Sequence, residues 1–142
     1  MPSQQEASAA APDPRQATVL YKILLPSEAE QLPSIKWSGT QLDQKDGFLH
    51  FSSKHQLPGT LSRFFAHVEE VVICALPLST LALGEAAAED RPRRTLQYDQ
   101  SHGQFFGHIY GMIDPETHLV WRRTYRSAAG GWDSVDVSDL TF

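Results

Sequence analysis

Six consecutive residues, Val71-Val72-Ile73-Cys74-Ala75-Leu76, limit the fold more than any other stretch. They are apolar without alternation, and Pro77 follows immediately. In an extended strand successive side chains point to opposite faces, so an unbroken apolar run must be covered on both sides. Such a strand belongs in the middle of a sheet, and the sequence predicts it over Glu70 to Leu76. Helical segments elsewhere are too few and too short to alternate with parallel strands. The prediction is therefore an α+β fold with mostly antiparallel, mixed sheets and two or three short helices.

Composition sets outer bounds. A chain of 142 residues suits one core, and 41% hydrophobic with 20% charged residues is ordinary for a globular domain. The net charge of -5 argues against a surface that neutralises nucleic-acid phosphates. The basic groups Arg91-Pro92-Arg93-Arg94 and Arg122-Arg123 with Arg126 read as solvated charges beside strands. No apolar run approaches the roughly 20 residues that span a bilayer. Cys74 has no partner cysteine and sits inside the apolar run, which predicts a buried, inert thiol in a reducing compartment. Residues 1–17 lack apolar periodicity and any secretory h-region, so a disordered tail and cytoplasmic residence are expected.

Along the rest of the chain, Thr18 to Leu25 reads as a first strand ended by Pro26, and Ser27-Glu28-Ala29-Glu30 as a short capped helix. Ser34 to Lys45 reads as a surface loop. Leu57, Leu61, Phe64, Phe65 and Val68 repeat at the spacing of one helical face, with Pro58-Gly59 separating a first turn from the main helix. Leu78 to Leu83 reads as a helical turn, Gly84 to Arg93 as an exposed connector, Arg94 to Asp99 as a strand and Gln100 to Gly103 as a loop. Leu119 to Tyr125 and Trp132 to Val137, separated by a loop of hairpin length, read as a terminal hairpin over 118–138.

Chemistry concentrates in two stretches. In Asp46-Gly47-Phe48-Leu49-His50-Phe51-Ser52-Ser53, Gly47 allows a sharp turn into a strand that carries Phe48, His50 and Ser52 on one face. Phe105-Phe106-Gly107-His108-Ile109-Tyr110-Gly111 also sets a histidine among aromatics. Two strand histidines in similar settings form a candidate site. They equally suit a pair of core histidines with satisfied hydrogen bonds. Tyr98-Asp99 places an acid beside a ring near a strand end, where a carboxylate stabilises positive charge on a sugar carbon or binds a ribose hydroxyl. A zinc site through His50, His55, Asp46 and Asp99, or a triad of Ser52 or Ser53 with His108 and Asp99, would need geometry that the spacing does not supply. No phosphate-binding loop, dinucleotide fingerprint or paired-cysteine motif is present.

Tyr21-Lys22-Ile23, Asp46 to Ser52, Gln56-Leu57-Pro58-Gly59-Thr60-Leu61, Arg63-Phe64-Phe65 and His108-Ile109-Tyr110-Gly111, in this order, resemble the family called domain of unknown function 952. The likeness spans Val19 to Asp114. Family members generally carry Trp-Glu where Tyr98-Asp99 stands, and Phe-Pro-His where Phe106-Gly107-His108 stands. The resemblance implies a fold related to the ADP-ribosyltransferases, with NAD bound in a cleft between two sheets. Tyr21-Lys22 would then hold a ribose and Gly47 to Ser52 would line the nicotinamide cleft. Asp99, or the pair His108 and Tyr110, would complete the set.

The expected function is an NAD- or ADP-ribose-related transferase or glycohydrolase-like enzyme. Its catalytic residues would be His50, Asp99 and His108, and its ligand-binding residues Tyr21, Lys22, Gly47, Ser52, Tyr98 and Tyr110. The alternative is a non-catalytic module that binds a small molecule or peptide through the same pocket.

Overall fold

A computed structural model describes residues 12–82 and 94–142. Its strands are β1 (Val19–Leu24), β2 (Leu49–His50), β3 (Glu70–Pro77), β4 (Thr95–Ser101), β5 (Gln104–Tyr110) and β6 (Trp121–Arg126). Its α-helices are short: α1 (Pro26–Glu30), α2 (Gln41–Asp46), α3 (Leu57–Phe64) and α4 (Pro115–His118). The architecture is α+β, with two three-stranded antiparallel sheets ordered β1-β3-β6 and β2-β5-β4.

β3 is central, as its unbroken apolar run requires. Val71, Ile73 and Ala75 join Tyr21, Leu57, Leu61 and Trp132 in one core cluster. Its other face gives Cys74 to a cluster with Leu24 and Ala29, and Leu76 to one with Leu20, Leu49, Phe51 and Ile109. This last cluster fills the space where the two sheets meet. Among the described residues one backbone pair joins the sheets: Tyr21 N–H donates to Ser52 O at 2.8 Å and Ser52 N–H to Tyr21 O at 2.9 Å.

Ser53-Lys54-His55-Gln56 has capping-box spacing in the sequence, and the junction after β2 follows it. The Gln56 carboxamide accepts the Ser53 N–H at 3.0 Å, closing a 3-10 turn over Lys54–Gln56 that runs into α3. The same side chain donates to Phe105 O at 2.7 Å and so ties this junction to β5.

Several local expectations are corrected. The stretch read as a surface loop contains α2, whose Thr40 cap and Asp43 form a reciprocal capping box. The cap of α1 lies two residues earlier than expected, with Glu28 accepting the Leu25 N–H at 2.8 Å. Helix α3 ends at Phe64, which is 59% exposed, so only Leu57 and Leu61 of the expected face are buried within the helix. Gln100 and Ser101 extend β4, leaving His102 and Gly103, at φ 52° and 77°, as a two-residue hairpin turn.

The expected terminal hairpin does not form. Residues 121–126 pair with β3, and Trp132 to Val137 contain no strand, because Trp132 is buried in the core with its indole N–H donating to Phe65 O at 2.9 Å. The N-terminal boundary also moves. Pro14–Gln16 form a 3-10 turn, Arg15 lies 4.1 Å over the Phe105 ring and Ala17 is buried, whereas residues 1–11 and the expected connector Gly84 to Arg93 lie outside the described residues. Among the described residues no helix is long and apolar enough to cross a membrane. The three C-terminal arginines form no patch: Arg122 bonds Ala29 O, Arg123 pairs with Asp139 and Arg126 with Glu70.

Candidate functional site

The histidines of the two aromatic stretches meet. β2 is short, but its register sets His50 directly across from His108 on β5, with ring centroids 5.4 Å apart. Phe48 covers both, stacking on His108 at 4.0 Å, and reaches Tyr110 at 5.1 Å. These four rings stand at the side of a cavity of about 770 Å³ that opens between the two sheets. Phe51, Phe64, Phe65 and Phe106 contribute much of its remaining wall, so the lining is largely apolar with a few convergent polar groups, the usual character of a small-ligand site.

One polar group of the wall is an ionic cluster around Asp43. The Lys22 ammonium reaches the two Asp43 oxygens at 2.8 and 2.7 Å and also donates to His50 O at 3.0 Å. Asp43 accepts the His50 backbone N–H at 3.1 Å and lies 2.6 Å from His50 Nδ1, while His50 Nε2 lies 2.9 Å from Asp46. Both ring nitrogens of His50 face carboxylates, a pattern that a ring carrying both protons satisfies. Burial by itself raises the Asp43 carboxyl, but the bonds from His50, Lys22 and Thr40 outweigh it and hold it at about 2. Burial likewise lowers the Lys22 ammonium, with Asp43 opposing the shift.

The second group is built across β4 and β5. Asp99 receives the Gln97 amide at 2.6 Å, the Tyr110 hydroxyl at 2.7 Å and His108 Nδ1 at 2.7 Å, and these bonds hold its carboxyl at about 2. Burial lowers the His108 ring below the ordinary histidine range against the pull of Asp99, and nearby His50 adds to the lowering. An ionised Asp99 fixes the proton on Nδ1, leaving Nε2 as a lone pair on a ring that lines the cavity. Nε2 has no hydrogen-bond partner among the described residues.

Seven of the nine residues singled out from sequence line the cavity: Tyr21, Lys22, His50, Ser52, Asp99, His108 and Tyr110. Their roles differ. The Tyr21 hydroxyl is engaged on the far side, donating to Thr141 O at 2.8 Å and accepting its N–H at 3.0 Å. Ser52 Oγ lies 3.3 Å from Thr60 Oγ1, so Ser52, one of the two serines weighed for a triad, is turned to α3. Gly47 and Tyr98 are outside the lining. Gly47, at φ 90°, terminates α2, and Tyr98 packs beside Gly107 on the opposite face of β4 from Asp99. His50, His55, Asp46 and Asp99, weighed above as a zinc set, are not brought together, since His55 lies against Phe142, and among the described residues no group of three His, Cys, Asp or Glu is placed to hold a metal ion.

Sequence reasoning missed Asp43, the residue that binds Lys22 and His50 together. The signal was present in Thr40-Gln41-Leu42-Asp43, which has capping-box spacing with Asp in the place of Glu.

Comparison with known proteins adds kinship without chemistry. The crystal structure of protein CC0527 from Caulobacter crescentus is similar, at 24% identity and a TM-score of 0.66 over 86% of this chain and 96% of that one. Its solution NMR structure matches at 24% identity and a TM-score of 0.57 over 82% of this chain and 92% of that one. At such identity the likeness shows the fold alone. No curated protein matches the chain. The family model DUF952, described as a protein of unknown function, matches residues 25–119, about two thirds of the sequence. Carrying His50 and His108 within that matched span, the chain belongs to the DUF952 family.

Proposed function

We propose that the cavity binds a nucleoside-type ligand, and that the domain is an NAD- or ADP-ribose-related transferase or glycohydrolase-like enzyme on an ADP-ribosyltransferase-like scaffold. The observation that carries this reading is the Asp99–His108 pair at 2.7 Å on an apolar-walled cavity. A neutral imidazole backed by a carboxylate is a general base at neutral pH. In the proposed reaction His108 Nε2 takes a proton from a water or acceptor hydroxyl, the oxygen bonds the anomeric carbon, and the carbon–nitrogen bond to the leaving base breaks with its electrons passing to nitrogen. Asp46 and Asp99 supply negative charge for the cationic sugar of such a transition state. Phe48 and Phe106 offer faces for the flat base, and Tyr110 a hydroxyl near the ribose. The cleft between two three-stranded sheets supports the scaffold assignment.

A thermal-shift series with NAD, ADP-ribose and nucleosides tests the reading, since a ligand at 100 times its Kd adds about 2.7 kcal/mol. The expected result is a shift with NAD or ADP-ribose, base release from NAD, and loss of that turnover in His108→Ala. Flat melting curves across saturating series overturn the proposal. The non-catalytic module is favoured by one observation, that His50 is bonded at both nitrogens and so acts as framework. Binding that His108→Ala weakens, with no turnover of any donor, would select it.

A further inference from the structure

The charge on the cavity wall narrows the ligand class. Four carboxylates line it, those of Glu28, Asp43, Asp46 and Asp99, and Lys22 is the one lysine or arginine among the described residues that does so. The Lys22 ammonium is engaged by Asp43, and His50 lies between Asp43 and Asp46. Even a charged His50 leaves two negative charges in excess. Asp46 and Asp99 keep 38% and 30% of their side chains exposed, so this charge is open to a ligand.

A phosphate entering here would meet like charge and find its nearest cations already paired, a costly desolvation. A cation finds the reverse. It meets carboxylates, the faces of Phe48, Phe106 and Tyr110, and the lone pair of the buried His108, which accepts an N–H. The last point is a second observation beside the open charge of Asp46 and Asp99. His108 Nε2 is an acceptor without a donor, on a side chain 8% exposed.

We propose that this cavity selects an organic cation with an apolar body, a protonated amine above all, and excludes phosphate from its interior. The proposal rests on the reading that the cavity holds a small ligand, and it is independent of the NAD assignment. For a nucleotide ligand it requires the phosphates to lie outside the wall.

Calorimetric titration of the full chain with three probes of one shape, 2-phenylethylamine, 2-phenylethanol and phenylacetate, tests it. The amine is expected to bind at least about tenfold more tightly than the alcohol, and the carboxylate to give no signal at about 10 mM. Asp46→Asn, at a part-exposed position, should remove most of the preference for the amine over the alcohol, with a melting curve showing the variant folded. Equal affinity for amine and alcohol, tighter binding of the carboxylate, or no binding of any probe overturns the proposal. ADP-ribose and NAD run in parallel separate the two readings. Binding of ADP-ribose to a protein that ignores the amine sinks the cation proposal and leaves the proposed function standing, whereas binding of the amine alone does the opposite.

Discussion

Substituting Asp43 with alanine strands two groups at once, because the buried Lys22 ammonium and the His50 ring both depend on its carboxylate. An uncompensated buried charge costs about 3–5 kcal/mol, and urea unfolding of Asp43→Ala should show a loss of that order. The pH dependence follows the same residue. Its carboxyl is held at about 2 against an unperturbed 3.8, so the stability it adds is present above pH 3.8 and is lost as pH falls through 2. Acid unfolding followed by circular dichroism should lose this increment in the Asp43→Asn variant. His108 has the opposite character to a salt-bridged histidine. Its folded value lies below 6.5, so as pH drops from there the unfolded chain takes a proton that the folded ring refuses, and stability falls. An NMR titration should place the His108 midpoint below 6.5. Asp99 raises that value, so Asp99→Asn should move the midpoint lower still.

Helix α2 delivers Asp43, and its entry leaves no room for a larger residue. Gly39 has φ of 106°, and a Cβ there would run into Asp43 Cβ and lie 2.8 Å from Leu49 Cδ2. Gly39→Ala therefore combines backbone strain with a collision against the site, and a loss of about 1–3 kcal/mol is expected in chemical denaturation. Loss of the cap in Thr40→Ala should cost about 1 kcal/mol. This helix also shows where local sequence runs out. β3 was legible because a continuous apolar run has one solution in a sheet, and the turn into α3 because Ser53 and Gln56 stand at capping distance. In α2 the helix is six residues long, its one hydrophobic side chain, Leu42, is 55% exposed, and its anchoring residue is a buried acid. No periodicity announces such a segment. Its stability comes from the distant Lys22, which propensity does not register.

At the scale of the molecule, the family model covers residues 25–119 and so stops short of both β1 and β6, the two neighbours of β3. The final segment is part of the core for the same reason: Trp132 and Leu140 pack on Tyr21, Ile73 and Ala75. Trp132→Ala should cost about 3–5 kcal/mol by thermal or urea unfolding, where a peripheral hairpin would register little. Alternation made residues 121–125 readable as a strand, but strand partners are settled by long-range packing, and the pull of Trp132 into the core is invisible in the local pattern. The facing of His50 and His108 was suggested by like surroundings alone, and the register of β2 on β5 realises it.

Each β ladder is complete in itself, and the Tyr21–Ser52 backbone pair and the Lys22 ammonium on the His50 carbonyl stitch the two together. With the apolar cluster of Leu20, Leu76, Leu49 and Ile109 packed behind that seam, the aperture above the histidines is braced and a guest meets a mouth of fixed width. Amide exchange at Tyr21 and Ser52, whose N–H groups bond each other's carbonyls, should therefore be slow whether the mouth is filled or empty.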